Sequence, residues 1–185
     1  VGAAYRLRYT INGSGKIQVE AFYKPEKEKI PLMPKFGMRM RLPSSMNYIK
    51  WYGRGEFENY PDRKTAAFVG CYAADVDNFI TDYAFPQDNA NRCDVRWFSL
   101  NDKENRKIKV AGLQPLCFRV WPYSEEDLEK NRHAYELPGR DYLNVNIDLN
   151  IHGVGGVDTW GARTLDEYTI DGNQSYYGYI MEYSD

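Results

Sequence analysis

The feature that most restricts the fold is an unbroken alternation from Leu143 to His152. Leu143, Val145, Ile147, Leu149 and Ile151 form one set, and Asn144, Asn146, Asp148, Asn150 and His152 form the other. Successive side chains leave opposite faces of a pleated strand, so this is a strand with one buried apolar face. The polar face carries amides, a carboxylate and an imidazole, but no Lys or Glu. Groups of this kind both donate and accept hydrogen bonds, which suits a sugar, ordered water or a partner backbone. Gly153-Val154-Gly155-Gly156 then bends the chain with three residues free of Cβ constraints. Trp160 stands beyond it, flanked by Asp158, Thr159 and Gly161. A strand that delivers a tryptophan on a glycine-hinged loop places an aromatic platform at a binding site. The plainer alternative is a core tryptophan after an ordinary glycine-rich turn.

The rest of the chain keeps the same two-residue period. Tyr5-Leu7-Tyr9-Ile11 alternates with Arg6, Arg8 and Thr10; Asn12-Gly13-Ser14-Gly15 turns the chain, and Ile17-Val19-Ala21 alternates back, a hairpin pattern. Strands are predicted over 38–42, 48–53, 94–100, 107–110, 117–121 and 176–183. Residues 65–82 are mostly apolar and fit either element, while 83–92 read as a loop. Ser124 followed by Glu125, Glu126 and Asp127 is an N-cap with acids in the first turn, which predicts one short helix over about 125–132. Short amphipathic strands joined by Gly/Asn/Asp turns, without a βα rhythm, predict an all-β, antiparallel β-sandwich forming a single domain over 1–185.

Composition excludes several functions. A net charge of −2 gives no electrostatic footprint for nucleic acid and no polybasic membrane patch. No apolar run approaches the ~18 residues of a membrane span. VGAAYRLRYT lacks the layout of a signal peptide and starts inside a strand pattern, so the sequence reads as a cut from a longer chain. Cys71, Cys93 and Cys117 are odd in number and widely spaced. That argues against a zinc site or a disulfide framework and for small buried thiols, with one disulfide as the alternative.

The densest polar run is Gly53 to Arg63. Glu58 and Asp62 are candidates for an acid/base pair, which in a retaining glycosidase needs carboxyl groups ~5–5.5 Å apart. The structural alternative is that Glu58, Asn59, Tyr60, Asp62 and Arg63 pair with one another and with backbone in a fixed loop. Gly153-x-Gly-Gly is not a dinucleotide fingerprint. His152 ends the polar strand face without a second histidine at metal-ligand spacing, and no Gly-x-Ser-x-Gly elbow is present. The chain by itself shows no complete catalytic set and no metal site.

At GRGEFENYPDRKTAA (53–67) the sequence resembles the C-terminal domain, or small chain, of lacZ-type β-galactosidases of glycoside hydrolase family 2. MRMRLP (38–43), YAFPQDNANRCDVRW (83–97), PYSEEDL (122–128), LNVNID (143–148) and GVGGVDTW (153–160) agree in the same order, so the match covers nearly the whole chain. The resemblance implies a β-sandwich of the galactose-mutarotase-like, or supersandwich, type packed against a catalytic TIM barrel. It implies that the catalytic glutamates and the Mg and Na ligands lie mainly in that barrel, so this chain needs no cofactor of its own. Trp160, with Asp158 and His152 beside it, is then the expected substrate-binding group, and Glu58, Asn59, Tyr60, Asp62 and Arg63 form a possible interdomain loop. The implied partners are the barrel and a β-galactoside, with no nucleic acid and no membrane, in a homo-oligomeric bacterial enzyme of the cytoplasm or periplasm. Glu56 stands where the family commonly has proline. The family's domain is considerably longer than 185 residues. Rival expectations are a free-standing carbohydrate-binding module and a mutarotase-like sugar epimerase, although no equivalents of a mutarotase's catalytic histidine and glutamate stand out.

Overall fold

The computed structural model describes residues 2–27, 30–156, 160–173 and 175–185. Nine strands and two short helices follow in the order β1 (Ala3–Ile11), β2 (Ile17–Pro25), β3 (Lys35–Pro43), β4 (Tyr48–Gly55), β5 (Phe68–Asp75), α1 (Val76–Phe79), β6 (Arg92–Asn101), β7 (Lys107–Trp121), α2 (Glu125–Lys130), β8 (Tyr142–Ile151) and β9 (Ser175–Ser184). Every pairing is antiparallel. The all-β expectation therefore holds.

The hydrogen-bonded path runs β1-β2-β9-β7-β6-β4-β5, and β8 branches from β7 to carry β3. The branch comes from the length of β7. Residues 107–112 pair with β9, and residues 117–121 pair with β8. Between the two halves the register with β6 slips: Val95 faces Leu116 while Trp97 faces Ala111. Gly112 and Pro115 lie in that irregularity, where a residue without a Cβ and one without an N–H do least harm to a ladder. The two strands expected at 107–110 and 117–121 are thus one bent strand. Its bend lets the β2–β9 arm fold over the β3–β8 arm, giving a sandwich-like layering.

Aromatic side chains fill the space between the arms. The Tyr177 hydroxyl donates to the Ile147 carbonyl at 3.2 Å, and the rings of Phe36 and Tyr177 meet edge to face at 5.6 Å. Under β4, β6 and β7, Phe98 stacks on Phe118 at 4.3 Å, and Trp51 meets Phe79 at 5.3 Å. The apolar residues of β8 do face this core, as the alternation predicted: Leu143, Val145 and Ile147 are buried. The ambiguous stretch 65–82 resolves into strand β5 and the single turn α1, whose Val76 and Phe79 are buried.

Local chemistry accounts for the ends of elements. The Asn12 carboxamide oxygen accepts from the backbone N–H of Ser14 at 3.1 Å and of Lys16 at 3.2 Å, and Gly15 takes φ +78°, so the hairpin closes there. Ser124 and Asp127 form a reciprocal capping box at the start of α2. The helix ends at Lys130, two residues before the expected limit, because Asn131 is already extended and its carboxamide donates to the Asp127 carbonyl at 2.7 Å. Cys93 and Cys117 are buried free thiols with sulfurs 3.6 Å apart. Cys71 is exposed on β5, contrary to the expectation of three buried thiols, because the pleat turns it to the outer face.

Candidate functional site

The site begins where β8 ends. The His152 N–H donates to the Pro34 carbonyl at 2.8 Å, and the Gly153 N–H to the Tyr168 carbonyl at 2.8 Å, so the chain leaves the sheet on a fixed course. The His152 ring Nδ1 lies 2.7 Å from the Gly153 carbonyl oxygen, which turns the imidazole to its own backbone.

Asp62 then takes hold of the glycine bend. One carboxylate oxygen accepts from the Val154 N–H at 3.1 Å; the other accepts from the Gly155 N–H at 2.7 Å and the Thr164 hydroxyl at 3.2 Å. Arg63 adds a long contact at 3.4 Å from Nη2 to the Gly155 carbonyl. Glycine is required here. A Cβ on Gly153 would come within 2.7 Å of the Asp62 carboxyl carbon, and Gly156 has φ +83° with Arg63 at 3.0 Å from the place of its Cβ. The two polar motifs of the sequence, far apart in the chain, therefore form one structure. At its tip Trp160 is 92% exposed. Asp158, expected beside it, lies outside the described residues.

Glu58, Asn59 and Tyr60 serve another loop. Glu58 accepts from the Tyr83 hydroxyl and from the Ala90 N–H, the latter at 2.7 Å. The carboxylate accepting that phenolic proton, together with burial, pushes the Tyr83 phenol up to about 12. The Asn59 carboxamide oxygen accepts from the Cys93 N–H at 2.8 Å, and the Asn91 side chain donates to the Asn59 carbonyl at 2.7 Å. Tyr60 is buried with its hydroxyl 3.5 Å from Asp88, and burial raises its phenol well above the ordinary range. Both candidate acids are thus engaged, Glu58 by a tyrosine and a backbone amide, Asp62 by two amides and a hydroxyl. These are the contacts that the fixed-loop alternative expects. The Gly55–Glu56 peptide at the entry to this loop is cis.

The polar face of β8 is not solvated over most of its length. Asn144, Asn146 and Asp148 are all buried. Across the ladder, Arg119 opposes Asn146 and Cys117 opposes Asp148. Arg119 is fully buried; its Nη1 binds the Asp88 carboxylate, and its guanidinium lies 4.3 Å from the Trp121 ring centre. The Trp121 indole N–H donates to the Asn89 carbonyl at 3.1 Å, so the 83–92 loop lies over this face. Burial pushes the Asp148 carboxyl up to about 6 against the pull of Arg119 and Lys35. Asp88, Arg119 and the burial of Asp148 escaped the reading of the sequence. The one signal was an arginine inside the apolar run Cys117 to Trp121.

Among the described residues, no three His, Cys, Asp or Glu side chains gather as a metal-ligand set. What the arrangement displays is an aromatic ring on a loop tied down by a carboxylate. It belongs to an all-β domain whose sheet braces this loop.

Comparison with known proteins gives the family. Residues 2–181 match the model of the β-galactosidase small chain, and the chain belongs to that family. It is 35% identical over 174 residues to a β-galactosidase of Priestia megaterium, covering 94% of this chain and 17% of that protein. It is 34% identical over 172 residues to one from Halalkalibacterium halodurans, covering 91% of this chain and 17% of the relative. A Vibrio cholerae β-galactosidase is 34% identical over 176 residues, covering 95% and 16%. The chain thus spans about a sixth of the length of these bacterial relatives.

Proposed function

We infer that this chain is the C-terminal, non-catalytic domain of a family 2 β-galactosidase, and that it completes the sugar subsite of the catalytic barrel with Trp160 as a stacking wall. The observation that carries the reading is the double anchoring of residues 153–156 by Asp62 and Arg63, with Trp160 92% exposed beyond them. A loop tied at 153–156 starts the chain toward the ring from a fixed point, so less freedom is lost when a sugar stacks on it. In the parent enzyme, two barrel carboxylates hydrolyse the β-galactoside by the retaining mechanism. Any Mg and Na ions would be held mainly by that barrel. Asp158 and His152 are the further substrate-binding candidates, and the 53–63 loop contributes interdomain contacts through its exposed residues.

The expected contribution is modest. Covering one face of the indole is worth ~1–2 kcal/mol at ~25 cal/mol per Å², or up to about thirty-fold in affinity. Trp160→Ala in the parent enzyme should weaken lactose or acceptor binding and leave the melting temperature unchanged. Steady-state constants for lactose equal to those of the parent would end the assignment.

A further inference from the structure

Two thiols meet beneath the anchor of the tryptophan loop. Arg92 faces Phe118 where the β6–β7 ladder begins, so Cys93 and Cys117, each one residue inward, are cross-strand neighbours. Their sulfurs are 3.6 Å apart. They pack with Tyr60 and Ile151 in a small cluster separate from the main core. Tyr60 stands two residues before Asp62, and Ile151 two before Gly153, so this cluster underlies both halves of the tie that holds residues 153–156. Among the described residues no third metal-ligating side chain joins the pair, which leaves the chemistry of the thiols with each other.

The geometry suits a bond between them. Cross-strand Cα atoms lie ~4.5–5.5 Å apart, inside the ~4.4–6.8 Å that a cystine spans. A cystine bond is about 2.0 Å long, so each sulfur has to move by less than about 1 Å from the present contact. The ladder is loose on this side. Asp94 takes φ +52°, the register slips between Arg92 and Val95, and the Cys93 N–H donates to the Asn59 carboxamide oxygen at 2.8 Å.

Hydrogen bonds decide which sulfur acts first. Asn91 Nδ2 donates to Cys93 Sγ at 3.3 Å, and the Cys117 thiol donates to the same sulfur. The Cys93 S–H points to the Asn59 carbonyl at 3.5 Å. Two donors therefore converge on Cys93, in place to hold the negative charge left when its proton departs. The Cys117 thiol is raised by its hydrogen bond with Cys93 and by burial, so Cys117 is the second to react. Access is narrow: Cys93 and Cys117 are 2% and 5% exposed. Both line a recess of about 370 Å³ that Pro61, Lys64, Glu167 and Tyr168 also line. One water takes up ~30 Å³, and hydrogen peroxide is larger by a single oxygen, so the recess admits it.

We propose that Cys93 and Cys117 are a modification site, which hydrogen peroxide closes into a cystine tying β6 to β7 under the Asp62 loop. Cys93 Sγ, its proton released to water, attacks one peroxide oxygen. The O–O bond breaks, and the departing hydroxide takes up that proton to become water. Cys93 is then a sulfenic acid. Cys117 Sγ attacks the Cys93 sulfur; the S–S bond forms, the S–O bond breaks, and the second hydroxide leaves as water with the Cys117 proton. Each sulfur gives up one electron, and the peroxide takes both. This proposal does not depend on the role of Trp160.

The test uses the chain with Cys71→Ser, which removes the exposed thiol. The native chain at pH 7.5 is treated with a small excess of hydrogen peroxide, quenched with catalase, unfolded, alkylated and mapped by mass. No alkylated cysteine should remain, and the peptides carrying residues 93 and 117 should appear joined, two hydrogens lighter than their sum. Dithiothreitol should restore both thiols. Closure should be at least about tenfold faster in the folded chain than in urea, because the fold holds the sulfurs in contact. In Cys117→Ser, dimedone should trap a sulfenic acid at Cys93, whereas Cys93→Ser should stay unmodified over the same time. Oxygen uptake at either cysteine without a cross-link, two intact thiols after treatment, or closure no faster folded than unfolded would overturn the proposal. A sulfenic acid forming first at Cys117 would overturn the assignment of Cys93 as the attacking sulfur.

Discussion

Asp148 makes a quantitative prediction that runs against the usual effect of removing a buried charge. Its carboxyl is raised from 3.8 to about 6, first by burial and then by Asp88 and Glu125, against the opposing pull of Arg119 and Lys35. Between those two values the folded chain holds a proton that the unfolded chain has released. The stability due to this group is therefore full below about pH 4 and is lost as pH rises through about 6. At ~1.36 kcal/mol per tenfold, the loss is about 3 kcal/mol at pH 7.5 and about 1.5 kcal/mol at pH 5. Asp148→Asn keeps the shape and removes the titration, so the variant should be more stable than the parent, by about twice as much at pH 7.5 as at pH 5. The other strongly perturbed acids do not confuse this window. Glu125 and Asp127 are held down to about 2, Glu125 by Lys35 and Arg39 against its burial and Asp127 chiefly by Arg140. Their contributions are intact above about pH 4.5. Urea unfolding at the two pH values reads the difference directly. A less stable variant at pH 7.5, or a gain that does not change with pH, would refute the reasoning: Arg119 and Lys35 would then fully compensate the buried charge.

Two further outcomes follow from the loops and the thiols. Asp62→Ala removes the acceptor of three hydrogen bonds; at ~1.5–3 kcal/mol for a bond to a charged group, discounted for exposure, a loss of about 2 kcal/mol is expected. The loop should also show it locally, as faster amide exchange at Val154 and Gly155, whereas unchanged exchange would mean that the glycine bend holds its own shape. A thiol reagent should label one cysteine of the native chain, Cys71, and all three after denaturation, since Cys93 and Cys117 are buried and the Cys117 thiol is raised by its contact with Cys93 and by burial. Fast native labelling at Cys93 would contradict the packing beneath Tyr60.

Much of this fold was legible because β-structure writes itself locally. The alternation of 143–151 located a strand and its core face correctly, and Asn12 to Gly15 located a turn. The other face of that strand was not legible. Alternation reports which residues share a side, not what lies over that side. The 83–92 loop returns across β7 over Arg119, and β3 packs against Asp148, so residues remote in sequence make these interior residues. The join of 107–110 to 117–121 was missed for a related reason. Gly112 and Pro115 look like a break in sequence, and the sheet uses them as a bend. At the candidate site, each motif was visible alone, but the Asp62 contacts with Val154 and Gly155 span about ninety positions, a separation no local pattern encodes.

The bifurcated ladder along β7 sets an order on synthesis. Among the described residues the β1–β2 hairpin joins the hydrogen-bonded sheet through β9, whose residues 175–181 pair with β2 and 179–184 with β7. A ribosome therefore makes this hairpin about one hundred and fifty positions before its docking strand. Until then Tyr5, Tyr9, Ile11 and the β2 edge have no place in the sheet. The nascent chain must keep an adhesive ribbon out of trouble while those positions are added, and contacts of such long range also close slowly. A chaperone that grips residues 3–25 should raise the yield of this domain more than one that grips any later segment of it.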